Sequence, residues 1–397
     1  MNKSLAKKIK KYSKDIKDEV ISIRRRLHEI PELGDDLPKT RSFILNELKK
    51  YNVEILENVG NNGIVALLRG KEKGKTIGYR ADMDALPILE ENTFEYRSKH
   101  PGKMHACGHD VHVAIALSMV KVFSFIKDEI RGDIKFIFQP AEETIGGALQ
   151  MIEDKVLEDP KVDYIFGSHI SPEIESSKIG LRSGGLMAGV DEFEIEIKGK
   201  GGHAGIPHKA INPLVVASKI VCELESIKNY FIDSGERVVI SICTIKGGEA
   251  INVIPDSAKI TGTIRYFSQK TQEVVADKFY KIVNNISDIY KADCNIDYVK
   301  LFPPVINDRD IVSDIENILK KYKLEDSIIS IEDPSMGGED FSFFLKAVPG
   351  AYIFLGTKNI SKNIVKSLHN PKFNVDEDIF EKATSILCKI ILEFLNK

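Results

Sequence analysis

Apolar and polar residues follow one another along the first part of the chain in an order that predicts an α/β fold. Apolar residues at helical spacing occupy 14–31, 41–51, 111–126 and 146–155, and apolar runs that predict strands occupy 63–69, 76–82, 133–138 and 163–169. Helices that alternate with strands are typical of a mostly parallel sheet flanked by helices. In such a sheet, polar residues at the strand ends gather at one edge.

The pattern changes after about residue 185. From there to residue 301 the predicted order is strand, helix, two strands, helix and strand, which is typical of a ferredoxin-like α+β sandwich. After residue 303, helix and strand alternate again. We therefore predict a discontinuous large domain of residues 1–186 and 302–397, interrupted by a small inserted domain of residues 187–301.

Composition excludes some classes of partner. The 397 residues contain 56 Lys and Arg against 59 Asp and Glu, so no basic field favours nucleic acid, and we expect a small-molecule partner. We expect neither a signal peptide nor a membrane span, because no uninterrupted apolar run is long enough. Five cysteines without paired spacing favour a reducing compartment, by default the cytoplasm.

Residues 105–112 are unusually rich in metal-binding side chains, with three histidines, one cysteine and one aspartate. Cys107 and His109 stand two apart, which would place both side chains on one side of an extended segment as metal ligands. His112 either orients a ligand or caps the helix that begins there, and the sequence leaves both interpretations open.

Two adjacent glutamates follow the strand predicted at 133–138. If the strand continued through them, Glu142 and Glu143 would point in opposite directions, one as a metal ligand and the other as a general base. His169 ends a further apolar run, a position that favours a ligand. Asp82 and Asp84 also lie at a strand end, where we expect them to support the ligands.

These motifs together resemble the M20 metallopeptidase family in its amidohydrolase branch, which contains N-acyl-amino-acid amidohydrolases, hippurate hydrolases, indole-acetyl-amino-acid hydrolases and N-acetyl-diaminopimelate deacetylases. The resemblance runs nearly end to end. The segments that carry it are 25–28 with 31–34, 80–87, 102–112, 139–143, 167–169, 199–208, 247–256, 262–265, 338–341 and 369–371.

The resemblance implies two divalent metal ions per subunit, with zinc, manganese, cobalt and nickel all compatible with such a site. It also implies that Glu142 is the general base and acid for hydrolysis of an amide bond. The side chains that it implies as metal ligands are Cys107, His109, Glu143, His169 and His369.

For the inserted domain, the resemblance implies a lid that also forms a homodimer. His203 would stabilise the oxyanion in the active site of the partner subunit, and Asn252 and Arg265 would hold the carboxylate of the substrate. Glu339 would support the ligands or line the pocket.

The resulting prediction is a metal-dependent hydrolase that cleaves N-acyl amino acids into a carboxylic acid and a free amino acid. One alternative keeps the site and makes the enzyme a dipeptidase or carboxypeptidase of short peptides. A second makes Cys107 a thiol nucleophile. A third is a binding protein with a structural metal, which would leave a glutamate beside the ligands without a role.

Overall fold

A computed structural model of the chain describes residues 2–144 and 146–397. In this part of the chain, helices α1 to α11 span Asn2–Asp15, Lys17–His28, Pro38–Leu48, His109–Ser124, Gly147–Glu153, Pro213–Leu224, Ser226–Tyr230, Gln269–Tyr290, Arg309–Lys321, Phe341–Ala347 and Ile379–Leu395. Strands β1 to β16 span Glu54–Val59, Gly63–Arg69, Glu72–Asp82, Arg131–Gln139, Tyr164–Glu175, Ile179–Leu181, Gly184–Met187, Gly189–Lys198, Gly202–His203, Val239–Lys246, Val253–Ile254, Ser257–Tyr266, Asp293–Phe302, Val305–Asn307, Ile328–Ser330 and Gly350–Lys358.

The described residues form two compact units. The larger unit comprises the chain up to Gly184 together with Ile306–Asp333 and Asp340–Lys397, and the smaller unit comprises Gly185–Val305 and Pro334–Glu339. The assignment of Pro334–Glu339 to the smaller unit differs from the prediction, which assigned all of residues 302–397 to the large domain. This segment packs with the smaller unit because the Ala188 N–H donates to carbonyl oxygens within it.

The larger unit is built on a mixed, mostly parallel sheet, as predicted. Within the described residues the strand order is β1-β2-β4-β3-β5-β16-β6-β15, and the central pairs β4–β3, β3–β5 and β5–β16 are parallel. The register places Asp82 at the end of β3 opposite Gln139 at the end of β4. Parallel central strands therefore bring their polar carboxyl ends to one edge of the sheet.

Helices α4 and α11 supply much of the core of the larger unit. Almost every residue of α4 is buried, as expected for a helix that is apolar nearly all round. Within the described part of the chain, no helix is long and apolar enough to cross a membrane.

Helix α1 is an element that the sequence analysis did not predict. Leu5 and Ile9, four residues apart, are buried, and the surrounding lysines leave this stripe on one face. The helix predicted at 14–31 is shorter than expected and corresponds to α2.

The smaller unit has the predicted order of elements. Its antiparallel sheet runs β10-β12-β8-β13, and the helices α6 and α8 bury apolar side chains against it. From Asp191 to Lys198, buried residues alternate with more exposed ones along β8, which leaves one face of this sheet open. The predicted α/β class with a ferredoxin-like insert is confirmed.

Candidate metal centre

The segment from Cys107 to His109 turns sharply and brings two predicted ligands together. Gly108 has a left-handed backbone (φ 83°), and α4 begins at the next residue. The left-handed conformation favours glycine, and a Cβ at this position would lie 2.4 Å from Ile170 Cδ1 and would displace that side chain. The predicted extended segment is therefore wrong. Even so, the donor atoms of Cys107, His109 and His169 lie within 4.8 Å of one another.

Glu142 and Glu143 lie in a loop because β4 ends before them and Ala141 adopts a left-handed backbone (φ 59°). The N–H of Glu142 donates to Asp84 Oδ1 and the N–H of Glu143 donates to Asp84 Oδ2, both at a distance of 3.1 Å. Glu142 Oε2 lies 3.9 Å and Glu143 Oε1 lies 3.8 Å from His109 Nε2. The predicted opposite orientation is therefore wrong, because the chain turns before the pair and both carboxylates approach one histidine.

His169 faces the thiol of Cys107. It lies within β5, which continues past the predicted strand end to Glu175. Its Nδ1–H donates to the carbonyl oxygen of Ile170 (2.7 Å), so Nε2 carries the lone pair of the ring. This Nε2 lies 3.4 Å from Cys107 Sγ. The tautomer set by the backbone therefore suits a metal ligand.

His369 reaches the same cluster from a loop that follows β16. Its backbone is left-handed (φ 63°), and its N–H donates to the carbonyl oxygen of Ala106 (2.9 Å). Its Nε2 lies 3.6 Å from Glu143 Oε1, and the donor atoms of Cys107, Glu143 and His369 form a second group within 4.8 Å. The side chain is 54% exposed, so this side of the cluster is open to solvent.

His112 supports the cluster through hydrogen bonds on both ring nitrogens. Its Nδ1–H donates to Asp82 Oδ1 (2.5 Å), and its Nε2 accepts the N–H of Ile170 (3.0 Å). A histidine with both nitrogens engaged in this way has no lone pair left for a metal. Of the two roles left open by the sequence, the contacts favour orientation of the backbone beside His169.

Arg80 is a buried charge beside Asp82 that the sequence analysis did not single out. It is fully buried, and its guanidinium donates to Asp82 Oδ2 (2.5 Å), Gln139 Oε1 (2.8 Å) and Asp340 Oδ1 (2.6 Å). Asp340 also accepts from the side-chain amide of Gln139 (2.7 Å). The sequence signal that could have identified it is a basic residue inside the buried part of β3, because a buried charge requires partners.

Charges of opposite sign meet in the cluster. Burial lowers the pKa of His109, but the negative charge of Asp82 and contact with Asp84 outweigh it and raise the pKa to about 10. Burial raises the pKa of Glu143, yet His369 and His109 lower it to about 2. Burial also raises the pKa of Cys107, and the two glutamates add to that effect. Binding of a dication would therefore release protons from His109 and Cys107.

The residues present fit a divalent metal centre. Among the described residues, His109 Nε2 and Glu143 Oε1 are buried and have no hydrogen-bond partner, and His109 Nδ1 faces Asp84 Oδ1 at 3.5 Å. Buried polar atoms are almost always paired, so Nε2 of His109 and Oε1 of Glu143 call for a ligand. Thiolate, imidazole and carboxylate together are donors that zinc and neighbouring transition metals accept.

The remaining predicted site residues belong to the smaller unit. His203 is exposed on β9, and its Nδ1 accepts the N–H of Gly205 (2.9 Å). Asn252, also exposed, precedes β11, which pairs with β9. Arg265 is half-buried on β12 and lines a groove of about 440 Å³. Glu339 is buried at the end of the segment that packs with this unit.

Known proteins resemble the chain over nearly its whole length. Residues 78–393 match the model of peptidase family M20/M25/M40. Thermostable carboxypeptidase 1 of Saccharolobus solfataricus is 39% identical over 397 residues, covering 99% of this chain and 100% of the relative. The N-acetyl-L-cysteine deacetylase of Bacillus subtilis is 36% identical, covering 94% and 87%. A dinuclear metal-binding M20 peptidase of Bacillus subtilis superposes with a TM-score of 0.84 at 32% identity, covering 96% and 99%.

The chain therefore belongs to peptidase family M20/M25/M40. It is a metal-dependent hydrolase of amide bonds, and its structure has the fold of this family. The predicted family and reaction class are confirmed.

Proposed function

We propose that the protein hydrolyses N-acyl amino acids to a carboxylic acid and a free amino acid. The observation that carries this proposal is the pair Glu142 and Glu143, which approach His109 beside the Cys107 thiol. One glutamate beyond the ligand set is what a hydrolytic site needs and a structural metal site does not. The similarity to an N-acetyl-L-cysteine deacetylase supports an acyl amino acid as substrate.

We propose two divalent ions as the cofactor, with zinc, manganese, cobalt and nickel all compatible with the donors. The similarity to a dinuclear metal-binding peptidase supports the number. When bound, the ions would acidify a water molecule and polarise the scissile carbonyl. The proposed ligands are Cys107, His109, Glu143, His169 and His369.

Glu142 is the proposed general base and acid. Its carboxylate accepts a proton from the attacking water and returns it to the leaving amine. Its backbone is fixed by the hydrogen bond from its N–H to Asp84, and the carboxylate is largely buried. A fixed carboxylate loses little entropy when it transfers the proton.

In the smaller unit, Arg265 is the proposed grip for the substrate carboxylate. Among the described residues, its guanidinium makes no hydrogen bond or ion pair, so its donors are available to a bound anion. Asn252 would assist it, and His203 would reach the oxyanion in a partner subunit. These roles would make the enzyme a homodimer with a lid.

Localisation in the cytoplasm also forms part of the proposal. All five cysteines are free, and Cys222 and Cys243 are exposed. Exposed thiols without disulfide partners are typical of a reducing compartment.

A substrate panel tests the reaction class and the metal together. We expect release of free amino acid from N-acetyl and N-benzoyl amino acids, its loss after chelation, and its return with manganese or zinc, because the metal ions acidify the attacking water and polarise the scissile carbonyl. Dipeptides belong in the same panel because a carboxypeptidase is also similar to this chain. Cleavage confined to dipeptides would favour the peptidase alternative, and cleavage indifferent to chelator would contradict the metal mechanism.

Exchange of Arg265 for methionine tests the carboxylate grip. We expect KM for N-acyl amino acids to rise about ten- to a hundredfold, because a charge-assisted hydrogen bond contributes roughly 1.5–3 kcal/mol. Steady-state kinetics should show a smaller change in kcat and almost no change for an N-acyl amine that lacks the carboxylate. Lys259→Met on the same strand is the control. Equal losses for both substrate types would rule out a carboxylate contact.

A further inference from the structure

A buried carboxylate beside a proposed ligand is held by helix α2. Asp110 follows His109 in the first turn of α4 and is fully buried. Its Oδ2 accepts hydrogen bonds from Arg24 Nε and from His28 Nδ1, both at a distance of 2.8 Å. The side chains of Arg24 and His28 are also fully buried. Helix α2 therefore fixes the start of α4, and with it the ligand at its first residue.

The same helix is also connected to the loop that follows His369. His28 Nε2 lies 3.2 Å from Glu90 Oε1, which accepts a hydrogen bond from Asn92 Nδ2 (2.9 Å). Asn92 Nδ2 also donates to the carbonyl oxygen of Phe373 (2.9 Å). This chain of contacts runs from α2 to the loop that carries the last proposed ligand.

Two further contacts strengthen this second connection. The N–H of Glu91 donates to the carbonyl oxygen of Pro371 (2.9 Å). Arg24 Nη2 makes a long contact of 3.5 Å with Asn374 Oδ1. The loop is thus held by residues that contribute no ligand.

We infer that Arg24 and His28 are positioning residues that hold the ligand segments 107–110 and 369–374 at the separation the metal centre requires. With Asp110, Glu90 and Asn92 they form what we term the α2 tie. The inference rests on the proposed ligand set. It goes beyond that set because none of these five side chains is assigned to bind metal or substrate.

The location of His369 explains why such a tie is needed. Cys107, His109 and His169 lie on or beside packed elements, whereas His369 stands on a half-exposed loop and is anchored directly by one backbone hydrogen bond to Ala106. A ligand on an unrestrained loop must be ordered when the metal binds, which weakens the binding. The tie orders the loop in advance, as residues that orient metal ligands do elsewhere.

Metal affinity tests the tie. Zinc binding to the metal-free full chain would be measured by competition with a chromophoric chelator, and unfolding of the same metal-free protein by urea. We expect Arg24→Lys, which keeps the charge but loses the planar guanidinium, to weaken zinc binding about ten- to a hundredfold.

The proposed centre binds two zinc ions, and His369→Ala should abolish the binding of one of them. Asn92→Ala should weaken the binding of that same ion about tenfold and leave the binding of the other unchanged.

Arg26→Lys is the matched control, because Arg26 lies on the same helix with its side chain 58% exposed. Zinc affinities of Arg24→Lys and Asn92→Ala within twofold of the control would overturn the tie and leave a purely structural network. If Arg24→Lys does not fold, Asn92→Ala decides alone, because Asn92 is only partly buried. Zinc binding unchanged in His369→Ala would instead overturn the proposed ligand set.

Discussion

Replacing Glu142 by glutamine should lower kcat for N-acyl amino acids by about a thousandfold and leave the bound metal in place. Glutamine has the same size and keeps the backbone hydrogen bond to Asp84, but it cannot take a proton from water and return it to the leaving amine. The measurement pairs kcat on the best substrate with metal content per chain by mass spectrometry.

The adjacent glutamate provides the control for this prediction. Glu143→Gln should lose metal as well as activity, because its carboxylate lies near both His109 and His369. Loss of metal from Glu142→Gln would instead indicate that Glu142 is the metal ligand and Glu143 the general base. If Glu142→Gln kept activity within tenfold of the wild type, Glu142 would not be the general base, and the proposed mechanism would be contradicted.

The structure also bears on the rival in which Cys107 is the nucleophile. A thiol attacks as its thiolate, and reactive cysteines have a lowered pKa in a positively charged surrounding. Burial raises the pKa of Cys107 well above its ordinary value, and Glu142 and Glu143 raise it further. These effects favour the thiol over the thiolate, which suits a ligand that is deprotonated when a cation binds.

The sequence predicted the sheet and pointed to candidate metal ligands because both depend on local patterns. Apolar runs and helical spacing extend over neighbouring residues, and the cluster at 105–112 is visible in a single stretch. The orientation of Glu142 and Glu143 could not be predicted in this way. It depends on the left-handed backbone at Ala141 and on Asp84, which stands 58 residues before Glu142.

The supporting network was missed for the same reason. Arg80 contacts Asp340, 260 residues further along, and Arg24 contacts Asp110, 86 residues further along. No periodicity in one chain links such positions. A buried charge can be suspected from an apolar context, but its partners follow only from the fold.

Replacing Arg80 by methionine should lower the free energy of unfolding by about 3–5 kcal/mol, the largest stability loss that we expect from a single exchange in the larger unit. Methionine fills much of the volume but leaves the carboxylates of Asp82 and Asp340 buried, and neither retains the guanidinium that compensated its charge. Burial raises the pKa of Asp82, whereas His109, His112 and Arg80 together lower it well below its ordinary value. Urea unfolding of the metal-free protein measures the effect.

Arg69→Met is the matched control for this exchange, because Arg69 also contacts two carboxylates, those of Glu54 and Asp133, but its side chain is 48% exposed. Water screens these charges, so we expect a loss of less than about 1 kcal/mol. Adding Asp340→Asn to Arg80→Met should restore part of the stability, since one uncompensated charge is removed. If Arg80→Met and Arg69→Met lost equal amounts of unfolding free energy, the buried network would contribute no more to stability than a surface ion pair. Asp82 would then keep its hydrogen bond to His112 without help from Arg80.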